Sequence, residues 1–281
     1  MNPADIASIL PEDAAHPYVR YERFDVADVK RQIDEKGYAI VRDLVPVKWI
    51  DLIKHFWLET FANDSAKGRV VWSVYYGQKN NIGFSSDSFQ HLYRAIDIPW
   101  NEPIHKETRE LSLRLSALRN LVIDQDPLFG LRAFDKIGMI SSTSYYPPGQ
   151  GRMEAHTDGG TGKVMLVHIL VPLTFKGADY ADGGLVMWDR QGKLVDVDGQ
   201  LRPGDAVIYD GSLKHEVLPI VAKEGKHTGR LQMFPIPVVF RPIDKDVRGL
   251  GAISISQYLY AKYAVAKNAL LIALGRKGTL R

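Results

Sequence analysis

Apolar residues recur along this chain with two different periods, and the change between them falls near residue 133. Before that point helical spacing dominates. Asp25 opens a segment that reads as a short capped helix, stopped at Gly37 and followed by a strand around Tyr38 and Ile40. Pro46 starts a second helix, in which Trp49, Ile53, Phe56 and Trp57 fall at helical spacing and are read as core. Pro103 starts another that runs to about Asp124, with Leu111, Leu115, Leu118 and Val122 as its buried stripe. Between these two, residues 69–100 are aromatic and polar without a clean period. They read as a strand running into a long loop, and loops of that length inside a compact domain usually carry function. From residue 133 the apolar runs shorten to strand length and are separated by Gly, Pro and Asp, as in KVMLVHILVPL, GGLVMW, GDAVIYD and GRLQMFPIPVVF. Many short strands at close spacing predict a sandwich, jelly roll or small barrel. A last helix of about twenty residues, spanning roughly 252–275 and interrupted by Lys262 and Lys267, is expected to pack on the barrel or on a second copy of the chain.

The whole of 1–281 is thus read as a single domain: helical and strand support with a substrate lid over 1–132, the β core over 133–241, and the C-terminal helix. Hydrophobic content of 45% with 25% charged residues is ordinary for a globular protein, and no uncharged apolar run is long enough to read as a membrane span. The first residues, MNPADIASILPEDAAH, lack the basic flank and apolar stretch of a secretory signal, so the cytoplasm is the expected location. The net charge of +3 is concentrated beyond residue 252, where five Lys or Arg occur without an acid. No basic stripe is spread over the rest, which argues against a nucleic-acid partner. The absence of cysteine restricts any metal to His, Asp and Glu ligands.

One stretch has that chemistry. In RMEAHTDGGTG, His156 and Asp158 stand two residues apart, and on an extended strand such residues point to the same face. A third ligand is available after 56 intervening residues, where His215 follows a glycine-containing turn at the start of another strand. Two imidazoles and one carboxylate on one side of an iron(II) leave three positions open, enough for a chelating cosubstrate and O2 together. The alternative for the pair alone is a polar turn at a strand end.

The flanking residues carry a resemblance. SYYPPGQGRMEAHTDGG is similar to the Tyr-Pro-Pro segment that leads into His-Thr-Asp in the iron(II)/2-oxoglutarate-dependent dioxygenases, in particular the branch with plant flavonoid oxygenases and isopenicillin N synthase. GGLVMWDRQGKLVDVDGQLRPGDAVIYDGSLKHEV resembles that family's run through a Pro-Gly-Asp turn to the second histidine, and GRLQMFPIPV its Arg-x-Ser strand. The resemblance covers residues 135 to 241 closely. It implies a double-stranded β-helix core of the jelly-roll, cupin-like kind, mainly β with flanking helices. It also implies iron held by His156, Asp158 and His215, with Arg230 pairing the far carboxylate of 2-oxoglutarate, helped by Tyr146 and Gln232. A guanidinium suits that role because its planar fork matches a carboxylate bidentately. Ser144 stands where the family has Asn, Gln232 where it has Ser, and 14 residues separate His215 from Arg230, more than in the plant branch, with Arg241 as the fallback anchor.

The activity so implied is oxidation of a substrate C–H bond, with hydroxylation as the default, coupled to conversion of 2-oxoglutarate and O2 to succinate and CO2. Two alternatives stand beside it: a non-redox cupin-like barrel that binds a metal or sugar, which has no need of Arg230, and an iron oxygenase that uses no 2-oxoglutarate. Selectivity is expected from the stretch between Val71 and Arg94, where Tyr76 and Phe84 would close over an apolar ligand and Lys79 and Arg94 would orient its polar groups. The alternative is that these aromatics pack the N-terminal helices onto the barrel. His168, alternating with Leu166 and Leu170, either lines the pocket or hydrogen-bonds inside the barrel. The expected substrate is a small metabolite, an amino-acid derivative or natural-product intermediate.

Overall fold

A computed structural model describes residues 2–63, 79–99, 101–131, 137–159 and 162–239, together with the backbone of 68–69. The expected helix over 252–275, Arg241 and Tyr76 lie outside these residues.

The strands in chain order are β1 (Tyr38–Val41), β2 (Gly68–Arg69), β3 (Asn81–Ser86), β4 (Gln90–Asp97), β5 (Ile137–Tyr146), β6 (Arg152–His156), β7 (Val167–Pro172), β8 (Tyr180–Trp188), β9 (Leu194–Asp196), β10 (Ala206–Asp210), β11 (His215–Ala222) and β12 (Arg230–Val239). The helices are α1 (Ile6–Ile9), α2 (Val26–Lys36), α3 (Val47–Ala62), α4 (Lys106–Val122) and α5 (Gly162–Leu166). The strands form one sheet with the order β1-β10-β7-β12-β5-β4-β6-β11-β8-β9, and β3 and β2 branch from β4. Residues of β10 and β7 near one end of that path and of β11 and β8 near the other line one cavity, so the sheet is doubled over on itself as a jelly roll.

Alternation along the strands divides the apolar residues between two cores. Ile169 and Val171 of β7, Ile208 of β10, and Leu231 and Met233 of β12 face outward and pack with the helices, where Ile50, Ile53, Trp57, Leu111, Leu115 and Leu118 complete the layer. Their neighbours Leu170, Val207, Tyr209 and Phe234 face inward with Leu185 and Met187. Cover on both faces is why β7 reads as an apolar run interrupted only by His168. In α3 the buried stripe is Ile50, Ile53, Trp57 and Phe61, whereas Trp49 is only partly buried, stacked on Tyr18 with ring centroids 4.4 Å apart. Helix α2 carries the expected cap, the Asp25 carboxylate accepting from the amides of Ala27 and Asp28.

The reading of residues 69–100 as a strand followed by a long loop is corrected: β3 and β4 form an antiparallel hairpin, with Asn81 opposite Ile96 and Ser86 opposite His91. The hairpin is part of the sheet, because β4 pairs with β5 from Tyr93 to Asp97 and with β6 at its start. Its pattern is hidden because polar Gln90 and Arg94 are among the residues β4 turns inward.

A buried ion pair ties β12 to the segment after β9. Arg230 donates through Nε to Asp198 Oδ2 at 2.5 Å and through its terminal nitrogen to Oδ1 at 3.0 Å. Oδ2 also accepts from the Tyr180 hydroxyl at 2.6 Å and the Leu185 amide at 2.9 Å. The network leaves no room for a side chain at residue 184: a Cβ on Gly184 would lie 2.2 Å from that same oxygen. Since both charges are nearly inaccessible, removing one strands the other. Asp198→Ala is expected to lower unfolding free energy by about 3–5 kcal/mol, and the double change Asp198→Leu with Arg230→Met by much less. Urea denaturation measures both, and equal losses from the single and double changes would show that the pair does not act as a unit.

Candidate metal centre and its cavity

His156 is the last residue of β6, and β11 begins opposite it at His215. Cross-strand partners share a face, so the pairing alone brings the two imidazoles together, with ring centroids 4.4 Å apart. Asp158 lies just past the strand end, its amide donating to the Gly211 carbonyl at 2.8 Å, which ties the β6 terminus to the turn after β10. One ligand atom from each of His156, Asp158 and His215 falls within 4.8 Å of the other two.

Each imidazole is oriented by its own backbone. Nδ1 of His156 donates to the Glu154 carbonyl at 2.7 Å and Nδ1 of His215 to the Leu213 carbonyl at 2.8 Å. With Nδ1 protonated and engaged, the lone pair sits on Nε2, the nitrogen nearer Asp158, the arrangement a metal-binding histidine needs. Burial opposes ionisation of Asp158, but His168, His215 and His156 outweigh it and hold the carboxyl below its ordinary range. Burial also pushes the His215 imidazole down, against the pull of Asp158, which favours the neutral ring that ligates. The donor set therefore fits a divalent metal that accepts nitrogen and oxygen, iron(II) among them.

The triad opens on a cavity of about 320 Å³. Its apolar wall includes Leu170, Leu185, Val217, Phe234 and Ile236, and its polar groups are Gln90, Arg94, Tyr146, His168, Tyr209 and Gln232. His168 is 5% exposed and places Nε2 3.1 Å from Asp158 Oδ2. The register explains it: His168 pairs with Tyr209, and both turn inward beside the carboxylate. A smaller cavity of about 120 Å³ lies behind the Asp210–Ser212 turn, but its basic groups face acids, Lys30 with Asp124 and Arg190 with Asp210.

Of the other residues singled out from sequence, Tyr146, Gln232, Arg94 and His168 reach the cavity. Arg230 does not line it; its guanidinium is held by Asp198, with the Tyr146 ring 5.5 Å away. Phe84 is off the cavity too, packed against Tyr93 and His91 at 4.6 and 4.8 Å, and Tyr93 continues toward Phe61 of α3, so these aromatics join helix to sheet. Lys79 is exposed and absent from the lining. Exposed Phe89, edge-on to His156 at 5.2 Å, and buried Gln90 complete the lining. Sequence reasoning missed Gln90 and Tyr209; the alternation of β10 would have placed Tyr209 inside.

No family model and no curated protein matches the sequence. Solved structures do resemble this one. A Pseudomonas putida prolyl-4-hydroxylase matches over 77% of this chain and 100% of its own, with a TM-score of 0.53 and 17% identity. The chain has the fold of the iron(II)/2-oxoglutarate-dependent oxygenases. EctD from S. alaskensis, in its apoform, matches over 81% of each chain at a TM-score of 0.51 and 13% identity. AviO1 from Streptomyces viridochromogenes Tue57 matches over 76% of this chain and 95% of its own, at 0.50 and 14%. In this oxygenase fold the observed triad lies at the cavity end of β6 and β11, and among the described residues no helix is long and apolar enough to cross a membrane.

The turn behind the triad is sterically exacting. A Cβ on Gly211 would lie 2.4 Å from Asp158 Oδ2 and 2.9 Å from the His168 ring. Gly211→Ala is expected to displace the carboxylate and weaken metal binding about tenfold to a hundredfold, the range of other changes just outside a metal's ligands. Titration with Co(II), followed by its visible absorption, measures the effect; unaltered affinity would show that the turn yields instead.

Proposed function

We propose that this chain is an iron(II)- and 2-oxoglutarate-dependent oxygenase that hydroxylates an unactivated C–H bond of a small molecule. The observation that carries the reading is the triad itself, two preoriented imidazoles and one ionised carboxylate at the wall of a partly apolar cavity. Iron(II) held there with 2-oxoglutarate supplies activation of O2 coupled to decarboxylation of the cosubstrate to succinate and CO2. EctD has been characterised with Fe bound and with 2-oxoglutarate and 5-hydroxyectoine, which supports this cofactor set for the shared fold.

The protein's own groups account for the remaining requirements. His156, Asp158 and His215 would hold the metal through one ligand atom each. The Nδ1 hydrogen bonds hold both rings in place, and His168 steadies the Asp158 oxygen that it meets. Leu170, Leu185, Val217 and Phe234 exclude water and receive the apolar part of a ligand. A volume of about 320 Å³, shared with a cosubstrate, favours a metabolite or a single side chain over a larger group. Arg230, for which a non-redox barrel would have no need, is hydrogen-bonded to Asp198 in this structure. Arg94 places a second cation at the cavity wall itself.

The protein supplied with iron(II), ascorbate, O2 and 2-oxoglutarate is expected to release succinate slowly without substrate, and faster with the right member of a metabolite panel. Asp158→Ala and His215→Ala should each reduce release by more than the roughly hundredfold that marks the upper range for changes behind the ligands. Succinate release undiminished in both variants would overturn the proposal.

A further inference from the structure

Resting on the oxygenase reading, we infer that Arg119 of α4, a residue of the outer helical layer, is a positioning residue for the metal centre: its guanidinium clamps the junction of α5 and β7, and that junction holds Asp158 in place. The clamp is made with main-chain carbonyls on both sides of Leu166. Nε of Arg119 donates to the Val167 carbonyl at 2.7 Å, and Nη2 donates to the Val164 carbonyl. The guanidinium is itself braced. Its Nη1 donates to Asn120 Oδ1 at 3.1 Å, and the Asn120 amide donates in turn to the carbonyls of Pro127 and Phe129 at 3.0 and 2.8 Å.

From the clamped junction two short routes reach the same carboxylate. Along the first, the Leu166 carbonyl accepts from the Gly211 amide at 2.6 Å, and the Gly211 carbonyl accepts from the Asp158 amide at 2.8 Å. Along the second, Val167 is followed by His168, whose Nε2 stands 3.1 Å from Asp158 Oδ2. Register joins the two, because Val167 pairs with Asp210 and His168 with Tyr209, so a shift of the junction moves the turn and the imidazole together. The junction cannot hold itself: α5 has 5 residues and buries none of them, and so short a helix is not stable alone. The chemistry of Arg119 suits the task. Two other buried arginines of α4 meet acids, Arg109 with Asp97 and Arg114 with Glu12 and Glu110. Arg119 is inaccessible to solvent, and among the described residues no carboxylate forms an ion pair with it; burial pushes its guanidinium down to about 10. A buried cation without an acid must be satisfied by dipoles, and charge-assisted hydrogen bonds to carbonyls are roughly twice as strong as neutral ones. The charge of Arg119 is thus spent on the backbone that leads from the helical layer to the metal side.

The test separates loss of the clamp from loss of stability. Arg119→Met removes every donor, Arg119→Lys restores one charged donor, and Arg114→Met removes a buried cation of the same helix that meets acids instead. Hydrogen exchange followed by NMR reads the clamp in the metal-free protein. The amides of Asp158 and Gly211 are expected to exchange at least about tenfold faster in Arg119→Met than in the wild type, while those of the β5–β12 ladder keep their protection. Arg119→Lys should fall between, and Arg114→Met should leave the Asp158 and Gly211 amides no faster than the ladder. Titration with Co(II) reads the consequence: affinity about tenfold weaker in Arg119→Met, with an altered visible spectrum, both moved back toward the wild type in Arg119→Lys and unchanged in Arg114→Met. Exchange or Co(II) affinity unchanged in folded Arg119→Met, or equal losses in Arg114→Met, overturns the inference. If Arg119→Met does not fold, Arg119→Lys decides it: faster exchange confined to Asp158 and Gly211 supports the clamp, and exchange raised uniformly or not at all overturns it. Faster exchange with Co(II) affinity intact overturns the positioning role alone, whereas a wild-type protein that binds no Co(II) overturns the oxygenase reading and this inference with it.

Discussion

The antiparallel pairing of β6 with β11 is the constraint from which the site follows. It sets His215 directly opposite His156, and because side chains alternate with a period of two, a slip of one residue would send one imidazole to the other face of the sheet. Two neighbours guard the register. Met187 of β8 pairs with His215 from the other side, and the Asp158 amide is fastened to the Gly211 carbonyl, so the chain leaving β6 is held against the turn that precedes β11. The doubled sheet exists around this seam, with its helical cover on one side and the inward apolar residues on the other.

Charge inside the jelly roll is handled in two ways. Arg230 and Asp198 satisfy each other and, with Tyr180 and the Leu185 amide, form a closed network that costs little as long as it stays complete. Arg94 sits two residues along the same cross-strand lattice but turns into the cavity, against Tyr146 and the open face of Gln232. Helix α4 shows the first pattern again outside the barrel: Arg114 meets Glu12 and Glu110, and Arg109 meets Asp97 at 2.5 Å, so these buried cations are structural.

Local features made the metal centre legible in the sequence. His156 and Asp158 are two residues apart, and the turn before His215 announces a new strand, so strand period and ligand type offered a metal site beside a polar turn, and the flanking resemblance favoured the metal site. The strands from β7 to β12 were equally plain, since Gly, Pro and Asp mark their ends. The hairpin of β3 and β4 was not, because Gln90 and Arg94 are buried polar residues that β4 turns inward, and a polar inward face inverts the alternation that a hydrophobicity pattern reports. Likewise nothing near Arg230 in the chain shows that Asp198, 32 residues away, will neutralise it.

The central claim is that the His156, Asp158 and His215 triad holds iron(II) in a way that leaves adjacent positions for a chelating 2-oxo acid. The most direct measurement is visible absorption of the anaerobic iron(II)-loaded protein during addition of 2-oxoglutarate. A weak charge-transfer band that saturates at one equivalent per chain, and that is lost in His215→Ala, is the predicted result. A protein that binds iron(II) through these residues yet develops no such band, or one whose band survives the loss of His215, would contradict the account.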